Sequence, residues 1–387
     1  MGNIHVAVIG AGAFGGWTAY QLLQKGAKVT LFDTWGPGHS RASSGGETRL
    51  IRGIYGEDEI YTDLVAKAFS HWNRFQQDTS KQVYFKTGSV WFFSKEDDSY
   101  ARNALPLITQ HGLFAEEWSL STLQQKFPQI NADGLRTAFW EEEAGYLLAR
   151  EACQAVVEAF VRQGGKFKRM AAFPAETKGD EMPYLALGNG EKYFADAYIF
   201  ACGPWLPNLF PSLLKELVSV TRQEIFYFGT PNKGASFRVP DFPVWVEMGE
   251  RVHYGVPDYN GRGFKLADDT REGPMDPTHG DRSPTPRKIE EARAFLAHRF
   301  PLLKGAPLIE SRTCQYTNSP NGHYILDRHP KAINVWLAGA GCGHGYKLGP
   351  SIGTLMADHI LEGTSIPSIF SLEQAQKEEW KTNQFEH

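Results

Sequence analysis

The chain has 387 residues, 42% of them hydrophobic and 13% aromatic, with a formal net charge of −4; that length suggests about two domains at roughly 150 residues each, with aromatics enough for a large core. The slightly acidic balance, without any basic run, argues against nucleic acid as a partner. No apolar stretch approaches the roughly 18 residues of a membrane span, and the N-terminus carries no basic n-region. Met1-Gly2 opens like a myristoylation signal, but Val6 stands where Ser or Thr is required, and a strand begins at once. Four widely spaced cysteines, Cys153, Cys202, Cys314 and Cys342, form no C-x-x-C and no metal pattern, so a reduced, cytoplasmic protein is expected.

Ile4 to Ile9 is an apolar strand that runs into Gly10-Ala11-Gly12-Ala13-Phe14-Gly15, and residues 17–25 read as a helix. A second apolar run, Lys28 to Phe32, ends at Asp33, about 20 residues beyond the glycines, as a dinucleotide fingerprint requires. Gly10 permits the tight turn, Gly12 lets backbone approach a pyrophosphate, and Gly15 lets helix and strand pack closely. The helix N-terminus offers free N–H groups and a positive dipole end to the phosphates. Asp33 can accept from a ribose hydroxyl, and an acid rather than an arginine there favours FAD or NAD over NADP.

A glycine- and serine-rich loop, 36–46, follows, and residues 59–77 have apolar residues at helical spacing. Residues 83–85 and 89–93 read as strands, 103–112 and 120–127 as short helices, and 150–164 as an amphipathic helix closed by Gly164-Gly165. After a strand at 166–170, the segment 195–205 is a buried strand ending in a glycine turn, where ligands sit in an open α/β sheet. From 220 to 266 the pattern is β-rich, and 268–286, rich in Gly, Pro and Asp, reads as a surface excursion. Residues 289–299 are helical, 334–341 form a final buried strand and 352–362 a closing helix. The βα material at both ends, with β-rich material between, implies a nucleotide domain interrupted by a second one.

Five elements now stand in one order: Gly10 to Gly15 with Asp33; Thr48-Arg49-Leu50-Ile51-Arg52; Tyr254-Gly255 with Gly263-Phe264-Lys265; Thr313-Cys314-Gln315-Tyr316-Thr317 with Asp327-Arg328-His329-Pro330; and Gly343-His344-Gly345-Tyr346-Lys347. In that order the chain resembles, over essentially its whole length, the monomeric sarcosine oxidase branch of the glycine/D-amino-acid oxidase flavoenzymes. The resemblance implies an α/β fold of two domains. One is a Rossmann-like FAD-binding domain from 1–80, 146–219 and 311–387; the other is a β-rich substrate domain from 81–145 and 220–310.

It implies Thr48 and Arg49 near the isoalloxazine, with Arg52 and Lys347 as contacts for a substrate carboxylate, which suits a planar guanidinium paired with a point charge. Taken alone, Arg49 and Arg52 would read as a surface ion pair beside Glu47, Glu57 or Asp58. Lys265 looks like the oxygen-activating lysine, Tyr254 a pocket wall and hydrogen-bonder, and His344 a structural hydrogen-bonder. Cys314 stands where the branch links its flavin through a thioether, a bond that needs a thiolate nucleophile, while Cys153 and Cys202 read as packing residues. The remaining cofactor contacts expected are Gly10, Gly12, Ala13, Phe14, Gly15, Asp33, Thr34, Ser40, Arg41, Ser43, Ser44, Phe173, Cys202, Gly203, Trp205, Gly341, Gly343, Gly345 and Tyr346, with Lys347 at the same end.

The chain also departs from that pattern. Gly45 stands where sarcosine oxidases carry a histidine, Asp268-Asp269 where a pocket histidine is expected, Cys342 where a serine is, and Trp245 where smaller residues line the cavity. A carboxylate at 269 would favour a substrate with a second cationic or hydroxyl-bearing part. The expected activity is oxidation of an amino acid's C–N bond, a secondary, N-alkyl or cyclic amine, by a monomer using FAD and O₂. An FAD dehydrogenase serving a partner and a non-catalytic nucleotide-binding subunit are the alternatives.

Overall fold

A computed structural model describes residues 4–231, 236–378 and 380; the Met1-Gly2 terminus lies outside them. The first apolar run forms the strand His5–Ile9, with Lys28–Asp33 and Ala197–Phe200 parallel on either side. Lys166–Arg169 and Val335–Gly339 extend this sheet to five parallel strands, and Ile325–Arg328 adds a sixth, antiparallel, at one edge. Strands covered on both faces need near-continuous apolar runs, and Val6-Ala7-Val8-Ile9 shows the division. Val6 and Val8 pack with Trp17, Val156 and Ile352, while Ala7 and Ile9 pack with Leu185, Leu206 and Phe210 on the opposite face.

The helix of the fingerprint is Ala13–Gln24, and it fits only because glycines surround it. A Cβ on Gly15 would stand 1.9 Å from the Gly10 carbonyl oxygen, and Gly10 itself has φ of 107°. On its other side the C-terminal helix Gly349–Glu362 comes so close that a Cβ on Gly353 would lie 2.6 Å from the Trp17 carbonyl carbon.

The β-rich part is an eight-stranded sheet in the order Leu308–Asn318, Ser219–Phe228, Phe264–Asp268, Val252–Val256, Val244–Met248, Ser89–Phe93, Thr137–Glu141, Ala115–Trp118. All pairs are antiparallel except Val244–Met248 with Ser89–Phe93. Residues directly opposite one another share a face. The pairs Tyr227–Lys265, Val256–Lys265 and Ile225–Ala267 set one face, and Cys314, opposite Gln223, belongs to it. The other face carries Phe226, Phe264, Leu266 and Trp245 into a core covered by Leu296 and Phe300. A third sheet, Thr48–Ile51, Gly145–Leu148 and Tyr84–Lys86, stands between the two large ones in sequence.

Three expectations need correction. Ala115–Trp118, Thr137–Glu141 and Gly145–Leu148 are strands that the sequence reading left unassigned; the first is a charged sheet edge with no apolar alternation to announce it. The 268–286 excursion is irregular but not merely superficial: Asp269 is 2% exposed, and Arg282 donates to Gln315 Oε1 (3.0 Å). Its Gly, Pro and Asp content goes with the lack of repeating dihedrals, and most of its residues are exposed or half-buried around such anchors. The helix ending at Glu362 does not close the chain, since Leu372–Lys377 follows, capped by Ser371 Oγ (3.1 Å from Gln374 N).

Candidate active site

A cavity of about 490 Å³ opens at the carboxyl ends of the parallel strands, where an open α/β sheet binds ligands. Gly10, Gly12, Ala13 and Phe14 line it from the start of the first helix. Ser44 Oγ accepts from Ala13 N at 3.1 Å and ties the serine-rich loop to that helix start. Asp33 stands in the wall, Oδ2 accepting from Ala11 N (2.8 Å) and Oδ1 from the amides of Trp35 (2.9 Å) and Gly36 (2.7 Å). A carboxylate offers about four acceptor positions, so these three bonds leave capacity for a ribose hydroxyl. Thr34, Ser43, Phe173, Cys202, Gly203 and Trp205 complete the walls on this side, and Gly341, Gly343, Gly345 and Tyr346 line the far side. Glycine cradle, free helix N–H groups and ribose-directed acid together fit a bound dinucleotide.

Farther along, the strand Thr48–Ile51 brings Arg49 into the same cavity. Its Nη2 donates to Ser43 O (2.6 Å) and lies 3.5 Å from Cys314 Sγ, while Nη1 donates to Thr48 O (3.0 Å). Lys265 Nζ donates to the same Thr48 carbonyl at 3.0 Å and is 1% exposed. Burial first, then the neighbouring Arg49 charge, pulls its ammonium down to about 7. Gly45, behind this segment, has room for no side chain: a Cβ would stand 1.9 Å from the His39 carbonyl oxygen.

Arg52 and Lys347 converge on one aromatic ring, the guanidinium 4.5 Å and the ammonium 5.0 Å from the centre of Tyr55. Both are buried, at 4% exposure each. Arg52 also lies 5.2 Å from the Trp91 ring and 3.4 Å from the Tyr100 hydroxyl. Lys347 donates to His344 O at 3.2 Å, and its own carbonyl accepts from Trp72 Nε1 at 2.8 Å, which anchors it to the helix Glu59–Thr79. Burial, reinforced by Arg52, holds the Lys347 ammonium well below the ordinary lysine range. Asp269 Oδ1 accepts from Tyr316 OH (3.1 Å), whose oxygen lies 2.9 Å from Tyr254 OH.

Several expected residues sit elsewhere. Ser40 and Arg41 are exposed and do not line the cavity; Gly15 packs behind it, and Thr48 contributes its backbone carbonyl. Of the acidic pair, Asp268 turns away to Arg251 and Lys288, each at 3.3 Å, so only Asp269 joins the tyrosines. Trp245 is no cavity wall: it lies at 0% exposure on the opposite face, stacked 5.7 Å from Phe264, where Gly255 makes room for its indole. Cys342 packs beside Ser319 Oγ (3.3 Å). His344 bonds Tyr324 OH (2.8 Å) and Gly322 O (3.2 Å), in agreement with a structural role.

Sequence reasoning missed Trp35, Tyr55, Trp91, Tyr100 and Glu141. Trp35 follows Asp33-Thr34 at a ligand-binding edge and could have been nominated there. Tyr55 follows Arg52 by three residues, in the loop after the Thr48–Ile51 strand, and could have been nominated with that motif; Trp91, Tyr100 and Glu141 arrive from separate strands and a helix and carry no local signal.

Residues 5–359 match the family model described as DAO, FAD dependent oxidoreductase. Monomeric sarcosine oxidase of Bacillus sp. (strain B-0618) is 28% identical over 376 residues, 96% of each chain. Peroxisomal sarcosine oxidase of Homo sapiens is 29% identical over 359 residues, 90% of each. Among solved structures, L-proline dehydrogenase from P. horikoshii has the same fold, with a TM-score of 0.86 at 16% identity over 98% of this chain and 99% of that one.

Proposed function

The chain belongs to the DAO family of FAD-dependent oxidoreductases, and we propose that it oxidises the C–N bond of an amino acid with a secondary, N-alkyl or cyclic amine, O₂ being the acceptor and H₂O₂ the product. Bound FAD would supply the hydride acceptor for the C–H beside the amine nitrogen and the route for the electrons to O₂, leaving an imine for water to hydrolyse. The observation that carries this reading is the meeting of Arg52 and Lys347, from opposite ends of the chain, on the Tyr55 ring, with Lys347 next in sequence to Tyr346, which lines the cavity. Two buried cations that close together suit a carboxylate, with bidentate guanidinium contact and a point charge.

Gly10, Gly12, Ser44 and Asp33 would hold the dinucleotide half, and Arg49 with Thr48 the ring end. Lys265 would stabilise the negative charge that develops on O₂. Asp269, through Tyr316 and Tyr254, would favour a substrate with a second hydroxyl or cationic part. Cys314, with Sγ 3.5 Å from Arg49 Nη2, would carry the flavin covalently. Retention of Lys265 speaks against a dehydrogenase. We further propose a cytoplasmic monomer, with an FAD domain from 1–80, 146–219 and 311–387 and a substrate domain from 81–145 and 220–310. No helix among the described residues is long and apolar enough to cross a membrane.

The test is a peroxide-release screen of N-alkyl, cyclic and glycated amino acids against their decarboxylated analogues. Lys347→Met should lower kcat/KM for the carboxylated substrate by the equivalent of about 2–5 kcal/mol with flavin content intact. Decarboxylated amines should be poor substrates of the wild type and less disadvantaged in the variant. Equal turnover of the two series in the wild type would refute an amino acid substrate.

A further inference from the structure

Glu141 is the last residue of the strand Thr137–Glu141 and is 1% exposed. Its carboxylate leaves the eight-stranded sheet and reaches the bend just after Thr48–Ile51. Oε1 accepts from Gly53 N, and Oε2 accepts from Trp91 Nε1 at 3.3 Å. Gly53 is the residue after Arg52, and Trp91 is the ring 5.2 Å from the Arg52 guanidinium. The fit is tight, since a Cβ on Gly53 would lie 3.0 Å from Glu141 Oε1. One carboxylate therefore holds both the backbone that carries Arg52 and an aromatic surface on which its guanidinium rests.

The charged and titratable groups around Glu141 are Arg52, Lys347 from the 346–348 turn, and the hydroxyls of Tyr55 and Tyr84. An incoming carboxylate at Arg52 and Lys347 places a like charge beside Glu141, which favours its protonated form. Burial already pushes the carboxyl up to about 7, so solvent can supply that proton near neutral pH.

We propose that Glu141 is the positioning residue of the carboxylate clamp and that it takes up one proton from solvent when a carboxylate binds there. This rests on the reading of Arg52 and Lys347 given above. It differs in kind from their role, because Glu141 acts through Arg52 and not on the substrate.

The experiment titrates the purified flavoprotein with acetate, and with acetamide as neutral isostere, following flavin absorbance from about pH 6 to about pH 9. Wild type should prefer acetate and lose affinity above neutrality by about tenfold per pH unit, the slope of one linked proton. Glu141→Gln, uncharged at every pH, should flatten that slope. Glu141→Leu, which removes both acceptors, should weaken acetate about tenfold or more at and below neutrality, where the wild-type carboxyl is protonated in the complex, while leaving the flavin reduction rate at saturating substrate within a few fold. If Glu141→Leu does not accumulate as yellow protein, Trp91→Phe keeps the ring, loses the indole donor, and should weaken acetate by about threefold. An unchanged slope in Glu141→Gln, or unchanged acetate affinity in Glu141→Leu or its Trp91→Phe substitute, overturns the inference while the clamp stands. Acetamide binding as well as acetate in the wild type overturns the clamp and this inference with it.

Discussion

Lys265 shows what burial does to an ammonium that has work to do. Its Nζ has the Thr48 carbonyl as acceptor, at 3.0 Å, and burial with the nearby Arg49 brings its pKa down to about 7. The protonated form prevails below that value and the neutral form above it. In the proposed role of Lys265, the charge that would help electrons onto O₂ is then present at acid pH and fades as pH rises through neutrality. Stopped-flow reoxidation should therefore be faster below about pH 7 than above it, while Lys265→Met should be slow and flat over that limb. Losing such a charge in a dry site commonly costs about 3–4 kcal/mol, or about 10²–10³ in rate. Reduction by substrate should change far less; equal effects on both half-reactions would assign Lys265 to general binding. The residue type and its Gly263-Phe264-Lys265 setting were legible in the sequence. That Asp269 faces Tyr316 while Asp268 faces Lys288 was not, because adjacent strand-end residues point to opposite sides and only the pairing tells which side is which.

At the scale of elements, the helix Pro286–Arg299 and the strand Val244–Met248 are joined by a buried pair. Arg299 meets Glu247 through two bonds, 2.7 and 2.9 Å, with side-chain exposures of 2% and 9%. Arg299 also donates to Asp133 O at 3.2 Å, so one guanidinium clips three segments together. Arg299→Leu should destabilise the protein by about 3–5 kcal/mol, since it strands a buried carboxylate. Thermal denaturation should show this, and Glu247→Leu/Arg299→Leu should recover much of the loss; no recovery would mean that the packing of the helix, not the charge, dominates. Both elements could be seen beforehand from periodicity. The edge strand Ala115–Trp118 could not, for its charged residues carry no alternation and only its neighbour, Thr137–Glu141, makes it a strand.

For the molecule as a whole, the flavin site collects residues from Gly10 to Tyr346, so cofactor and fold stabilise one another. Acid-precipitated wild type should remain yellow if Cys314 holds the flavin, and Cys314→Ala should release it. Stability of that variant should then depend on added FAD, gaining about 2.7 kcal/mol when free FAD is 100-fold above Kd. Wild type that frees all its flavin on denaturation would dismiss the link and leave FAD binding untouched.

The sequence by itself determined the nucleotide-binding start, the alternation of the buried strands and the family, and it nominated the cations of the proposed site. Those signals are local: steric limits on glycine dihedrals, the repeat of helix and strand, and motifs a few residues long. Only the tertiary structure decided that Arg52 and Lys347 meet over the Tyr55 ring, that Trp245 turns into the opposite core, and that Glu141 reaches under Arg52. Each of these depends on strand register and on close packing between segments remote in the chain, where a shift of one residue would reverse the face a side chain presents.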